Sequence, residues 1–403
     1  MSTPPLPQAS AVKRVEPQAD SRPTLVLPIA LLLSLGWLAM KTPTTFHMPS
    51  THIWQEAIAA FTLSGALNAA LATLVWHSFT SLSLLWSVLL LGLPYLLPLQ
   101  HGIAASAVAL NNFIGVWKAL DALAGTRPAA VVEGGFGAFV LHFASPVEYR
   151  IEKDSEGRAK PLCARQGLWR EELGQTARDY AALALVACVR SALLAPSRVL
   201  PAVLLTAGAL YSEVWTIYLF LRLFTGAFSI AVATCGFQAQ PMWAAPLTAS
   251  TSVSDFWSRR WNLLIHGLFR RTVFAPLTRR GVAPWVAGAL AFGISGAFHE
   301  YAFALQQPSL RESLGPCFLF FLAQAPAVSA EKALRRLVGV PPPFARSAAL
   351  CTVTWTLLLV PNAPLFLHPL KTSGVFEQIY QLVPRLAFEG HVTSGAAGDG
   401  TNG

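Results

Sequence analysis

The chain has 403 residues, of which 54% are apolar and only 12% are Asp, Glu, Lys or Arg. Ordinary globular proteins carry about 25% charged residues, so this composition excludes a disordered chain, a coiled coil and a typical soluble enzyme. A transmembrane helix needs about 20 mostly apolar residues, and several stretches of the chain meet that length. The sequence therefore predicts an all-α, polytopic helical membrane protein with about seven to nine transmembrane helices.

The formal net charge is +9, and the basic residues lie mainly in the connections between apolar stretches. Adjacent arginines occur as pairs at Arg259/Arg260, Arg270/Arg271, Arg279/Arg280 and Arg335/Arg336. This placement is typical of loops beside a membrane under the positive-inside bias, and it argues against a nucleic-acid partner. The same pairs suit a polyanionic substrate that arrives from the cytosol. The five cysteines are scattered singly without zinc spacing, so we predict neither a disulfide framework nor a metal site.

The chain divides into three predicted parts. Residues 1–24 are polar and Pro-rich and predict a disordered tail, and residues 390–403 predict a second one. Residues 25–389 are predicted to form a single transmembrane domain. The first apolar run, residues 25–40, begins farther along the chain than the core of a cleaved signal peptide normally does. We therefore expect an anchored first helix, with a plastid transit peptide as the alternative.

Further spans are predicted in chain order at Ile53–Trp76, Phe79–Leu99, Ile103–Leu123, Pro284–Leu305, Gly315–Val328 and Ser347–Pro364. The apolar piece Ala129–Ala144 carries Glu133 and two adjacent glycines, which predicts a re-entrant or interfacial segment. Residues 146–180 are the most charged stretch and predict a cytosolic loop or a surface helix. Residues 199–237 are too long for one simple crossing, so they form either one long tilted helix or two shorter ones.

A few polar side chains interrupt these predicted spans. Glu213 and Arg222 are predicted to form a buried ion pair, because pairing satisfies both charges. Asn111 and Asn112 are predicted to hydrogen-bond between helices. The parity of the spans stays open, and with it the side of the membrane on which each loop lies.

A first polar block breaks the apolar background at residues 250–272, where serines and threonines offer several N-caps. At helical spacing this block has a polar stripe of Asp255, Arg259, Asn262, His266 and Arg270, beside an apolar stripe of Trp257, Trp261, Leu264 and Leu268. The pattern predicts an amphipathic helix at the bilayer surface. A purely interfacial connector would show the same pattern, but it does not explain why Asp255 and Asn262 share a stripe with so many cations.

A second polar block, residues 293–301, lies inside a predicted span and contains His299 and Glu300. Ionisable groups at membrane depth are costly, so they usually face a cavity or a partner. A neutral imidazole in a dry pocket is a good general base for an alcohol that attacks an activated carbonyl. A thioester is a suitable donor because a thiol of pKa about 8.5 leaves readily, and CoA phosphates match the arginine pairs. The alternative is a histidine that only holds helices together.

These two blocks resemble the wax synthase family of the membrane-bound O-acyltransferase superfamily. Residues 254–262, Ser-Asp-Phe-Trp-Ser-Arg-Arg-Trp-Asn, are similar to that family's Asp-Phe-Trp and Arg-Trp-Asn block. Residues 271–276, Arg-Thr-Val-Phe-Ala-Pro, are similar to its continuation, although plant members tend to have Pro at the position of Thr272 and Tyr at that of Ala275. Residues 295–300, Ser-Gly-Ala-Phe-His-Glu, are similar to the block that carries the superfamily's catalytic histidine. The resemblance covers about residues 250–305, within a core of about 245–310.

The resemblance implies a bundle of tilted helices around a tunnel in which acyl-CoA and an acceptor meet. It implies that His299 is the general base and that Asn262 is a second catalytic or positioning residue. The residues implied to bind substrate or to shape the acyl-CoA entrance are Asp255, Phe256, Trp257, Arg259, Arg260, Trp261, Ser295 and Glu300. It also implies acyl-CoA as co-substrate without a permanently bound cofactor, and a multi-pass location in the endoplasmic reticulum.

We therefore expect transfer of a fatty acyl group from acyl-CoA to a long-chain alcohol, which yields a wax ester. A sterol or diacylglycerol acceptor with the same chemistry is the first alternative, because the family also acylates sterols and small alcohols. A membrane transporter or scaffold is the alternative from a different class, and the lack of an internal repeat counts against the transporter. The acceptor, the acyl-chain length and the oligomeric state stay open.

Overall fold

The computed structural model describes residues 44–125, 129–194, 202–305, 315–338 and 364–388. Both predicted tails lie outside the described residues, as does the first apolar run. The predicted span Ser347–Pro364 also lies outside them, apart from its last residue.

The amino-terminal part of the described chain packs three helices together: α1 (Thr51–Trp76), α2 (Thr80–Leu96) and α3 (Gly102–Leu123). A fully buried polar network of Ser64, Asn68, Asn111 and Asn112 lies between α1 and α3. The Ser64 hydroxyl donates to Asn112 Oδ1 at 2.6 Å, and Asn111 Nδ2 donates to Ser64 Oγ at 2.9 Å. Asn112 Nδ2 donates to the carbonyl oxygen of Leu90 in α2 at 2.8 Å. The predicted interhelical hydrogen bonds of both asparagines are confirmed.

Two short helices, α4 (Ala129–Glu133) and α5 (Gly135–Ala144), follow where the sequence predicts an irregular apolar piece. Gly135 has φ +80°, a conformation that glycine adopts without strain, and it separates the two helices. The charged stretch that follows contains an antiparallel hairpin of β2 (Ile151–Lys153) and β3 (Ala159–Pro161), with Ile151 paired to Pro161. This hairpin is a correction, because the sequence predicts only a loop or a surface helix there.

A long helical pair, α6 (Leu168–Leu194) and α7 (Ala202–Thr234), comes next. The 33 residues of α7 form one helix, which settles the choice between one and two helices in that stretch. The predicted pairing of Glu213 with Arg222 is wrong. Arg222 instead pairs with Asp179 of α6 at 3.0 Å, and the buried Glu213 pairs with Lys371 at 2.9 Å. A prediction from sequence favours partners that are near each other in the chain. In the folded protein, residues of neighbouring helices lie closer.

The segment 252–280 is not the single amphipathic helix that helical spacing predicts. It begins after α8 (Pro246–Ala249) and runs through α9 (Val253–Asp255), a π-helical turn at Phe256–Arg260, α10 (Leu263–Phe269), a second π-helical turn at Arg270–Phe274, and α11 (Ala275–Arg279). The backbone of Asn262 has φ +44°, which breaks the chain direction between the first π turn and α10. A π turn holds more residues per turn than an α-helix, so the predicted stripes do not persist.

The carboxy-terminal part begins with α12 (Pro284–Ala304), which packs against α13 (Pro316–Val338). Residues 364–372 form α14, and Val375–Tyr380 form α15. The antiparallel strands β1 (Thr44–His47) and β4 (Arg385–Phe388) pair, with Thr44 opposite Phe388. The larger apolar core lies between α6, α7, α12 and these carboxy-terminal helices, and it includes Leu183, Phe298, Leu367 and Phe376.

Four described helices are long and apolar enough to cross a membrane: Thr51–Trp76, Gly102–Leu123, Leu205–Thr234 and Pro316–Leu334. Thr80–Leu96 and Gly135–Ala144 are apolar but shorter. The 21 residues of α12 are not among the four by composition, since His299 and Glu300 lower its mean hydropathy. The prediction of a helical polytopic membrane protein is confirmed. The number of seven to nine spans stays a prediction, because two of the predicted spans lie outside the described residues.

Candidate functional site

His299 lies in the last third of α12, with its ring half-buried. Its Nδ1 is 2.7 Å from the backbone carbonyl oxygen of Ser295, one helical turn earlier. A carbonyl oxygen only accepts hydrogen bonds, so Nδ1 carries the proton and Nε2 of the neutral ring holds a free lone pair. Nε2 makes no hydrogen bond to any described residue. The ring is therefore held in the tautomer that a general base needs.

Aromatic side chains surround the His299 ring on several sides. Phe321 of α13 stacks on it, with ring centroids 4.3 Å apart and an interplanar angle of 30°. Phe298, Phe366 and Phe303 approach at centroid distances of 5.1, 5.6 and 5.9 Å. No carboxylate of a described residue contacts the imidazole, so only the Ser295 carbonyl dipole supports a proton taken up at Nε2. Such apolar surroundings suit chemistry from which water is excluded.

Glu300, the neighbour of His299 in sequence, faces away from that aromatic pocket. Its Oε1 accepts a hydrogen bond from the backbone N–H of Phe318 at 2.8 Å, in the first turn of α13. A carboxylate there satisfies a free helical N–H and interacts favourably with the helix dipole. A Cβ on Gly296, one turn before Glu300, would lie 2.8 Å from the Phe318 Cα, so α12 and α13 touch backbone to backbone. The structure thus places Glu300 at a helix junction.

Trp257 connects segment 252–280 to the surroundings of His299. Its ring contacts Phe292 of α12 and Phe321 of α13, each at a centroid distance of 5.7 Å. Phe292 lies two helical turns before His299 and so on the same face of α12. The two polar blocks of the sequence therefore meet through Trp257 and the phenylalanine that stacks on the histidine.

The other aromatic residues of the first block pack elsewhere. Phe256 is buried and stacks on Trp261 at 5.2 Å, and Trp261 contacts Trp243 at 5.0 Å and Tyr218 of α7 at 6.1 Å. Among the described residues, these two rings pack together toward α7 and do not pack on His299. Phe256 also contacts the Trp257 ring at a centroid distance of 4.8 Å and so reaches the histidine pocket through it, whereas Trp261 contacts no ring of that pocket among the described residues.

Asp255 and Arg260 form an ion pair across the first π turn, with Arg260 Nε 2.6 Å from Asp255 Oδ2. The same carboxylate accepts from the Thr251 backbone N–H at 3.1 Å, and Arg260 Nη1 donates to the Ala244 carbonyl oxygen at 3.0 Å. Arg259, by contrast, is exposed and makes no hydrogen bond or ion pair with a described residue. The two adjacent arginines thus differ. Arg260 stabilises the π turn through its contacts, whereas the guanidinium of Arg259 is exposed to solvent.

Asn262 is the N-cap of α10, and its Oδ1 accepts from the Ile265 backbone N–H at 3.3 Å. Asparagine tolerates the left-handed backbone that the chain adopts here, and a β-branched residue would not. The side-chain amide Nδ2 donates no hydrogen bond to a described residue. No hydrogen bond joins Asn262 to His299 within the described chain, so the pair is not directly coupled in this conformation.

Sequence reasoning missed a second group of ionisable residues, beneath segment 252–280. The Lys118 ammonium of α3 is buried and donates to three carbonyl oxygens, those of His142, Ser145 and Val147. One turn later, Asp121 Oδ2 accepts from Arg271 Nε at 3.1 Å. Both lie in the predicted span Ile103–Leu123, where an ionisable residue is itself the signal that could have revealed them.

Arg271 lies at the centre of this group of ionisable residues. We call the group the anchor network (Lys118, Asp121, Glu148 and Arg271). Its Nη2 donates to Glu148 Oε1 at 2.6 Å, while its Nε is held by Asp121. Next to it, Trp117 Nε1 donates to Thr272 Oγ1 at 2.8 Å. In the same region, burial and the Arg270 guanidinium lower the pKa of His266. Each charge of the network has a partner, so the network fixes segment 252–280 on α3.

Comparisons with known proteins give one family model and several relatives to which the chain is similar. Residues 240–323 match the family model described as "Membrane bound O-acyl transferase family". A probable long-chain-alcohol O-fatty-acyltransferase 1 of Arabidopsis thaliana is 33% identical over 164 residues, which are 38% of this chain and 46% of the relative. The long-chain-alcohol O-fatty-acyltransferase of Simmondsia chinensis is 35% identical over 162 residues, 36% of this chain and 42% of the relative.

An acyl-CoA–sterol O-acyltransferase 1 of Arabidopsis thaliana is 29% identical over 169 residues, 40% of this chain and 48% of the relative. The chain thus matches less than half of the length of each of these curated relatives. Fold and site define a polytopic helical membrane protein with an isolated histidine in an aromatic pocket. Residues 240–323, which contain both polar blocks, are similar to the membrane-bound O-acyltransferase family, and the relatives that the chain resembles include long-chain-alcohol O-fatty-acyltransferases.

Proposed function

We propose that the chain transfers a fatty acyl group from acyl-CoA to the hydroxyl of a long-chain alcohol, with His299 as the general base. The observation that carries the proposal is the His299 ring itself, whose Nδ1 is bonded to the Ser295 carbonyl and whose Nε2 is free among the described aromatic side chains. An unpaired Nε2 suits a general base, because its lone pair is available to the proton of an attacking hydroxyl.

The proposed reaction proceeds by addition and elimination at the thioester carbonyl. Nε2 of His299 takes the hydroxyl proton as the alcohol oxygen bonds to the carbonyl carbon. The carbon–sulfur bond then breaks, and the departing thiolate of CoA takes the proton back from the imidazolium. The products are one ester and one free CoA thiol, so the histidine returns to its starting state without a metal or a second cofactor.

Other residues of the two blocks have supporting roles in this proposal. The Nδ2 of Asn262, which has no described partner, is a donor that suits the oxygen on which negative charge develops during attack. Arg259 is exposed and suits the phosphates of CoA. The paired Asp255 and Arg260, with Phe256 and Trp261, hold the shape of the entrance through which acyl-CoA arrives. Glu300 and Ser295 position α13 and the imidazole, respectively.

The location and the partners follow from the same proposal. A fatty alcohol is supplied within a bilayer, whereas acyl-CoA is water-soluble at its nucleotide end. We therefore infer an enzyme of the endoplasmic reticulum membrane, with acyl-CoA as co-substrate, a lipid alcohol as acceptor and membrane lipids around its apolar helices.

A sterol acceptor is the second candidate. It is favoured by the similarity to the acyl-CoA–sterol O-acyltransferase of Arabidopsis thaliana, which is 29% identical over a comparable share of the chain. Both acceptors present one hydroxyl on a large apolar body, so the base and its surroundings serve either.

The test is to express the chain in a host that lacks neutral-lipid synthesis and to supply its membranes with labelled acyl-CoA. Hexadecanol, a sterol and diacylglycerol are offered separately under matched conditions, to the parent and to His299→Ala. We expect labelled hexadecyl ester from the parent and about 10²- to 10⁴-fold less from the folded variant. Preference for the sterol would move the proposal to the second candidate. Ester formation near the parental rate in His299→Ala, or no ester from folded parent, would contradict the proposed mechanism.

A further inference from the structure

We propose that Gln324 of α13 is a positioning residue for this site, which holds the Trp257 indole against the aromatic side chains around His299. The inference rests on the proposed function and extends it, because neither polar block of the sequence contains Gln324. The residue acts through Trp257 and Phe321 and does not touch the imidazole.

Gln324 is fully buried, with 0% of its side chain exposed, in a helix whose first half is almost entirely apolar. Its Oε1 accepts a hydrogen bond from Trp257 Nε1 at 3.1 Å. Its Nε2 donates to the backbone carbonyl oxygen of Phe320 in its own helix, at 3.0 Å. A buried amide of this kind is costly unless it is hydrogen-bonded, and here its acceptor oxygen is used for the indole.

The indole so held forms one side of the pocket. Trp257 contacts Phe292, Phe320 and Phe321, and Phe321 stacks on His299. A change in the indole position therefore reaches the histidine through a single intervening ring. Because aromatic contacts of this kind are orientation-dependent, a tilted indole would also tilt Phe321.

A second hydrogen bond ties the same segment to the same helix. The backbone N–H of Ser254 donates to Glu331 Oε2 at 2.9 Å, two helical turns beyond Gln324. Two bonds from α13 thus set the register of residues 254–257, but only Gln324 is itself fully buried, since Glu331 is partly exposed. The Gln324 bond therefore orients the indole, whereas the Glu331 bond only attaches the segment to α13.

The test is a double-mutant cycle of Gln324→Leu and Trp257→Phe. Leucine removes the acceptor at similar volume, and phenylalanine removes the donor while keeping a ring. Each single variant is expected to lower kcat about 10- to 100-fold, as small misplacements of catalytic groups do, with a smaller change in KM for acyl-CoA. The double variant is expected to be no slower than Trp257→Phe, because both changes break one bond. Fully additive effects, or a parental kcat in Gln324→Leu, would overturn the proposal.

Controls keep this result independent of folding and of the proposed activity. Ser329→Ala removes a side-chain bond within α13 that is remote from Trp257, and it is expected to behave as the parent. In ¹⁵N spectra, the Trp257 indole signal, assigned by its loss in Trp257→Phe, is expected to shift in Gln324→Leu.

The His299 ring signal, assigned with His299→Ala, is expected to shift in Gln324→Leu as well. These spectra need no turnover, so they test Gln324 even in a chain that makes no ester. Unchanged indole and imidazole signals in Gln324→Leu would overturn the positioning role even if ester formation were established.

Discussion

The anchor network and the histidine pocket both hold ionisable side chains in apolar surroundings, and they are built in opposite ways. In the anchor network, Lys118 has three carbonyl partners, and Arg271 has two carboxylates. In the pocket, His299 has one carbonyl partner at Nδ1 and none at Nε2 among the described residues. The fully paired charges of the network attach segment 252–280 to α3, whereas the unpaired Nε2 of His299 is available to accept a proton. We propose that this difference separates a role in attachment from a role in catalysis.

The largest expected effect is on catalysis in the pocket. Replacing His299 with Ala removes the base, and ester formation is expected to fall about 10²- to 10⁴-fold, the usual contribution of general acid–base catalysis. The measurement is labelled ester formed per folded molecule. The matched control is His77→Ala, because His77 is an exposed C-cap residue of α1 and should leave the rate unchanged. An equal loss in both variants would remove the distinction between the pocket and an ordinary histidine.

The largest effect on stability is expected in the anchor network. Lys118→Met leaves three buried carbonyl groups without their donor, and an unsatisfied buried acceptor costs about 1–3 kcal/mol. A lowered apparent melting temperature in mild detergent is the readout. The fraction that remains folded is expected to keep the parental turnover. A parental melting temperature with lost turnover would mean that Lys118 belongs to the chemistry instead.

Asn262 combines the two kinds of role, because its side chain caps a helix and also carries a donor that has no described partner. Asn262→Asp keeps the oxygen that caps α10 and loses the Nδ2 donor. We expect kcat to fall about 100-fold, as when an oxyanion donor is removed, with little change in melting temperature. Asn262→Gly keeps the left-handed backbone and should lose both the cap and the activity. Parental kcat in Asn262→Asp would restrict this residue to capping.

The ion pair of the first π turn is expected to give an intermediate result. Asp255→Asn leaves Arg260 without its carboxylate, and since both side chains are partly exposed the cost is about 1 kcal/mol or less. A small drop in melting temperature with a small rise in the KM for acyl-CoA is the expected outcome, because the pair shapes the entrance; both are measured on the same preparations. A large rise in that KM, at parental stability, would assign Asp255 to substrate binding.

The smallest effect is expected at Arg259, because an exposed charge acts through solvent. Arg259→Ala is expected to raise the KM for acyl-CoA about two- to fivefold at low salt, and the effect should shrink as ionic strength increases. Steady-state kinetics at two salt concentrations make this comparison. A fall in kcat that does not depend on salt would place Arg259 nearer the reacting atoms than its exposure indicates.

Much of the fold was accessible from the sequence because apolar length decides it. The predicted spans Ile53–Trp76 and Ile103–Leu123 match α1 and α3 almost residue for residue. The β-hairpin at 151–161 was not predicted, because its short strands carry no alternating apolar pattern. The prediction of one amphipathic helix over segment 252–280 was wrong. It assumed a constant helical period, whereas two π turns and the left-handed Asn262 change which side chains share a face.

Part of the candidate site could also be predicted from the sequence. His299 stands out because an ionisable residue inside an apolar run is unusual. Its relation to Trp257 was not predictable from spacing, because it passes through Phe321 of a different helix. The predicted partners of Glu213 and Arg222 were wrong for a similar reason: the true partners lie on α14 and α6, far away in sequence. Long-range partners are a property of the fold, which no local pattern encodes.

The most direct test of the contrast between pocket and network measures two quantities on His299→Ala and Lys118→Met in the same membranes. The quantities are the apparent melting temperature and the ester formed per folded molecule from labelled acyl-CoA and hexadecanol. We predict that His299→Ala melts like the parent and makes about 10²- to 10⁴-fold less ester, while Lys118→Met melts lower and its folded fraction turns over at the parental rate. A destabilised His299→Ala that makes ester near the parental rate would contradict the proposed division of roles.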